Sequence, residues 1–83
     1  MNYNLIYNQL IERAVFRQIN GYVERHHIIP KCIGGADNQD NIVLLTPEEH
    51  YVAHQLLVKI YPTNEKLIYA ASMMCVSNIS NNK

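Results

Sequence analysis

Four residues near the middle of the chain, Thr46-Pro47-Glu48-Glu49, leave the backbone little freedom. A threonine able to cap, a proline at the first helical position where its missing N–H is no loss, and a glutamate that can reach back to the cap form a helix start. The helix should run to about Ile60 and stop before Pro62. Ile42 to Leu45 must then enter it as an extended run and reads as a strand. Before that, Lys31 to Asn41 holds Gly34, Gly35 and several Asx or Gln residues, a loop composition. Tyr22 to Ile29 is rich in β-branched and aromatic residues and halted by Pro30, so it reads as the partner strand.

The flanks are helical. From Asn2 to about Gln18, Leu5, Ile6, Leu10, Ile11, Ala14 and Val15 recur at the spacing of one helical face, and Gly21 closes the segment. After Pro62, Thr63 can cap a last helix whose buried stripe is Leu67, Ile68, Ala71, Met74 and Cys75, fading into the polar stretch Asn78 to Lys83. The order is α-β-β-α-α, an α+β domain with a helix at each end of a ββα core.

A chain of 83 residues holds one domain, here 1–83. At this size about 60% of the unfolded surface is buried, so a metal would be a useful staple. No apolar run approaches the roughly 18 residues of a membrane span, and nothing at the N-terminus reads as a signal peptide. Cys32 and Cys75 form no Cys-x-x-Cys pair and read as small buried residues in a reducing compartment. Net charge is zero, against binding to polyanions by charge alone, but its distribution is uneven. Arg13, Arg17, Arg25 and Lys31, set against Glu12 and Glu24, lie before an acidic middle of Asp37, Asp40, Glu48 and Glu49, and the balance turns positive again from Lys59. Carboxylates facing away from a ligand would leave two basic ends to flank a polyanion.

The four histidines carry the chemistry. His50 and His54 are one helical turn apart on one face, close enough to share a metal, although such pairs occur commonly without one. A hairpin folding back onto that helix brings His26 or His27 beside them, and three imidazoles with an open position describe a catalytic metal site. Adjacent strand residues point to opposite faces, so His26 and His27 cannot both turn inward unless the strand breaks, a break that Pro30 and the loop would permit.

Glu24-Arg25-His26-His27-Ile28-Ile29-Pro30, then Gly34-Gly35, Asp40-Asn41-Ile42-Val43, and Thr46-Pro47 with His50 and His54, together resemble the signature of the HNH endonucleases, over about Tyr22 to Leu57. The resemblance extends to bacteriocin nuclease domains and to small phage-encoded HNH proteins of the homing type. The tract Tyr51 to Pro62 favours the phage group.

That resemblance implies a ββα-metal (His-Me finger) core and cleavage of DNA phosphodiester bonds, to 3′-hydroxyl and 5′-phosphate ends, in the host cytoplasm. His26, His50 and His54 would hold one divalent metal, Mg2+ or Mn2+ in use, with Zn2+ or Ni2+ also able to bind. His27 would act as general base, Asn41 would fix the loop that carries it, and Glu24 would support the site from behind. No small-molecule cofactor and no membrane is implied, and monomer and homodimer both stay open. Where bacteriocin relatives place a phosphate-gripping arginine this chain has Asn20, leaving Arg17 or Arg25 to substitute. Phage members continue past a stretch like Asn78 to Lys83 into a basic, aromatic DNA-binding tail.

Plainer readings stand beside these. Arg25, Lys31, Lys59 and Lys66 suit phosphate contact or simple solvation. Gly34 and Gly35 suit positive φ, and Asp37 and Asp40 suit turns. The tyrosines suit core and rim rather than base stacking. The alternative to an enzyme is a catalytically silent, metal-stabilised nucleic-acid-binding or phage accessory module.

Overall fold

A computed structural model describes the backbone of residues 1–81 and the side chains of residues 1–74. Helix α1 spans Tyr3–Val15, strand β1 Glu24–His27, strand β2 Ile42–Leu45, helix α2 Pro47–Ile60 and helix α3 Glu65–Asn81. The α+β order α-β-β-α-α expected from the sequence is the order observed. The loop between the strands carries two short 3-10 turns, Lys31–Ile33 and Gln39–Asn41.

The Thr46 start is fully formed. Its hydroxyl accepts from the Glu49 N–H at 3.2 Å, and the Glu49 carboxylate accepts from the Thr46 N–H at 3.0 Å. This cap also limits the sheet. The antiparallel register pairs Glu24 with Leu45 and His27 with Ile42, and the next N–H, that of Thr46, is taken by the cap instead of the ladder. Strand β1 is therefore shorter than Tyr22 to Ile29, and Tyr22 stays exposed.

Helix α2 is the central element, packing against α1, α3 and both strands. Its Ala53, Leu56 and Leu57 meet Tyr7, Leu10, Ile11 and Ala14 of α1, Val43 and Leu45 of β2, and Leu67 of α3 in one core. Burying these side chains is the main favourable contribution, about 1.5–3 kcal/mol for each large aliphatic one.

Several local expectations change. Helix α1 ends at Val15 instead of near Gln18, because Arg17 turns away to pair with Glu49 at the start of α2 and Gly21 adopts φ +117°. Leu5 and Val15 are exposed, whereas Tyr7 is buried in their stead. The cap of α3 is not Thr63 but Asn64, whose side-chain oxygen accepts from the Leu67 N–H at 3.1 Å. Leu67 and Ala71 are buried, Ile68 is largely exposed and Met74 half-buried. Cys32 is exposed, not buried, because it lies on the 3-10 turn outside the core. The side chain of Cys75 lies outside the described residues, as do residues 82–83 of the polar stretch.

Gly34 has the expected positive φ, +102°, but Gly35 does not. Its need is space: an added Cβ would sit 1.7 Å from the Ile29 carbonyl oxygen. The loop is pressed onto the end of β1 there, with the Gly35 N–H donating to the Pro30 carbonyl at 3.0 Å.

Candidate metal centre

The pleat of β1 decides between the two adjacent histidines. The strand does not break: His26 faces α2 and is 2% exposed, while His27 faces outward. His26, His50 and His54 form one cluster, each offering a ligand atom within 4.8 Å of the others. Their ring centroids lie 4.9–5.1 Å apart, all edge-to-face. The geometry comes from two local facts, the helical spacing of His50 and His54 and the fixed helix start, and from the sheet register that sets His26 opposite Val43.

Hydrogen bonds assign the ring nitrogens. The Tyr7 hydroxyl donates to the Ile28 carbonyl at 2.6 Å and lies 2.8 Å from His26 Nε2. With its single proton committed, Tyr7 must accept from His26 Nε2–H, which leaves the lone pair on Nδ1. Burial raises the Tyr7 pKa, keeping that proton in place. His50 Nδ1 is 2.8 Å from Glu24 Oε1, so the carboxylate accepts from Nδ1–H and frees Nε2. The bond to His50 holds the Glu24 carboxyl below the usual range, and Tyr22 donates to its other oxygen at 2.9 Å.

His54 Nδ1 is buried without any hydrogen-bond partner. An unpaired buried nitrogen is costly, and its position in a cluster of imidazoles is the chemistry a divalent ion satisfies. Burial, then the neighbouring imidazoles, push the His26 pKa down to about 3, and burial followed by His50 pushes His54 down to about 4. Both rings are neutral at pH near 7, the state that ligation requires.

On the outer face, the half-exposed His27 places Nε2 2.9 Å from Asp37 Oδ1. Asp37 also pairs with Lys31, whose Nζ is 3.7 Å from Oδ2. Hydrogen bonding to His27, then the Lys31 charge, holds the Asp37 carboxyl below its ordinary range. The turn reading of Asp37 did not anticipate this contact, and no sequence spacing announces it, because it depends on the loop folding back.

Asn41 is buried and bridges that loop. Its Oδ1 accepts from the Ile29 N–H at 2.9 Å, and its Nδ2 donates to the carbonyls of Ile29 at 2.9 Å and Ala36 at 2.8 Å. Arg25 and Lys31 are exposed. Arg17 is not free: its fork donates to both oxygens of Glu49, whose carboxyl drops to about 2, chiefly through Arg17. The contact of Tyr7 with His26 spans 19 residues and has no linear signal.

The chain is similar to phage proteins named as mobile endonucleases. It is 53% identical to "Probable mobile endonuclease E" of Enterobacteria phage T4 over 76 residues, covering 90% of this chain and 53% of that protein. It is 53% identical to "Probable mobile endonuclease B" of the same phage over 83 residues, 94% of this chain and 31% of that protein. A shorter match, 51% over 35 residues, joins it to the "Type IV methyl-directed restriction enzyme EcoKMcrA" of Escherichia coli K12, covering 42% of this chain and 13% of the enzyme. The chain thus spans about half the length of the first relative and about a third or less of the others. No family model matches, and no solved structure matches significantly. Among the described residues no helix is long and apolar enough to cross a membrane.

Proposed function

We propose that this domain is a metal-dependent DNA endonuclease of the HNH type, of the phage-encoded mobile or homing kind. The observation that carries the reading is the convergence of His26, His50 and His54, with ring tautomers set by Tyr7 and Glu24 and one buried nitrogen left unpaired. These three residues would hold the divalent ion, which when bound supplies charge neutralisation at the phosphate and the departing oxygen. The relatives named as endonucleases support the same reading.

His27 is the general base. Its imidazole stands clear of the metal cluster on the outer face of the hairpin, where water and a phosphodiester can reach it. The lone pair of a neutral imidazole can take a proton from the attacking water. Asn41 holds the backbone beyond His27, and Glu24 holds His50. Arg25 and Lys31 face solvent close to His27 in the chain and contact the DNA backbone, a sequence-independent attraction. Arg17, engaged by Glu49, locks the start of α2 and with it the position of His50.

The test is relaxation of supercoiled plasmid by the purified protein with EDTA, then with magnesium, manganese, nickel or zinc. Nicking that requires metal supports the enzyme. No nicking from folded, metal-loaded protein overturns it and favours a metal-stabilised module.

A further inference from the structure

We propose that Asp37 is a positioning residue for His27: its carboxylate fixes the ring as the Nε2–H tautomer and thereby makes Nδ1 the atom that takes the proton. The inference rests on the nuclease reading above and deepens it.

A carboxylate can only accept, so an imidazole nitrogen 2.9 Å from Asp37 Oδ1 must carry hydrogen. A neutral ring has one lone pair, which is then on Nδ1. In the reaction, one proton of the attacking water passes to Nδ1 while the water oxygen bonds to phosphorus. The P–O3′ bond breaks, and the departing oxygen takes a proton from solvent. The resulting imidazolium would sit beside an ionised carboxylate, an arrangement that favours the charged ring as it forms and keeps it from swinging.

The loop is built to deliver this carboxylate. Asn41 Nδ2 binds the carbonyl of Ala36, the residue before Asp37, and that of Ile29, two residues beyond His27. One buried amide therefore clamps both members of the pair. Gly35 lets the loop lie against the Ile29 carbonyl, and the exposed Lys31 ammonium lies 3.7 Å from the second carboxylate oxygen. The low Asp37 pKa keeps the acceptor ionised at neutral pH. A carboxylate also repels the phosphates of DNA, so an Asp37 that served only as a turn former would improve binding and cost nothing in rate when removed.

The side chain of Asp37 is 57% exposed, so its replacement does not threaten the fold. The experiment compares wild type, Asp37→Ala and Asp37→Glu in two readouts. The first is the ring 15N pattern of the neutral His27 ring in metal-free protein. Wild type should show protonated Nε2, and Asp37→Ala a mixture of tautomers. The second is single-turnover plasmid nicking in magnesium or manganese. Asp37→Ala should lower the rate by about 10- to 100-fold, with DNA affinity equal or tighter, and Asp37→Glu should recover part of it. Nicking by Asp37→Ala at the wild-type rate, a wild-type Nδ1–H ring, or slowed nicking with an unchanged tautomer each overturns the proposal. Wild type that does not nick overturns the nuclease reading and the catalytic role together, while the 15N pattern still decides the tautomer.

Discussion

His26 and His27 follow one another in the chain, yet the two faces of the hairpin place them in opposite surroundings. His26 is 2% exposed, hydrogen-bonded to Tyr7 and packed edge-on against His50 and His54. The side chain of His27 is 29% exposed and touches only loop carboxylate among the contacts described. Burial pushes the first ring's pKa down to about 3, which preserves a ligand's lone pair. The comparison shows how a two-residue period places one residue of a dipeptide in a buried imidazole cluster and the next at an accessible face.

The sharpest way to break this contrast is to remove each ring in turn. His27→Ala should lower nicking by about 100- to 10,000-fold while metal affinity, measured by calorimetry, stays within about 3-fold. His26→Ala should abolish metal binding and nicking together. Equal metal affinities in the two variants would mean the faces are not distinct.

The clamp beneath the outer face comes next. Asn41→Ala removes three hydrogen bonds at a buried position and should cost about 2–3 kcal/mol in a denaturant melt. A loss below about 0.5 kcal/mol would show that water replaces the amide and the loop needs no clamp.

On the inner face, Tyr7→Phe deletes the acceptor that assigns His26 Nε2–H. Metal affinity should fall about 10- to 100-fold with the helical signal retained. Unchanged affinity would leave Tyr7 a packing residue alone.

Acid tests the same face without substitution. Unfolded imidazoles titrate near 6.5, while folded His26 and His54 stay neutral down to about 3 and 4. Between those limits the unfolded chain binds more protons, so metal-free protein should lose stability as pH falls below about 6.5 and gain nothing from these groups above it. Urea midpoints at about pH 7.5 and about pH 5 measure it, and equal midpoints would show the cluster to be wet.

The smallest effect belongs to the outer surface. Arg25→Ala should reduce the salt dependence of DNA binding by a slope of about 1, with little change in fold stability.

Local sequence determined the elements. Thr46, Pro47 and Glu49 set the start of α2, and the observed cap matches them because capping involves only neighbours in the chain. The spacing of His50 and His54 likewise put two imidazoles on one helical face. Ile42 to Leu45 is a strand from end to end as read. Boundaries were less legible where a distant partner intervened: α1 ends early because Arg17 reaches Glu49, and α3 is capped by Asn64, not the neighbouring threonine.

Strand alternation left open which of His26 and His27 joins the cluster, and apart from the family resemblance only tertiary structure decided it, since either strand face is equally available until one must cover α2. It also brought Tyr7 to His26 across 19 residues and Asp37 to His27 across 10. Contacts of that kind follow from how a loop or helix is packed, and packing depends on the summed burial of Val43, Leu45, Ala53 and Leu57 rather than on any local propensity.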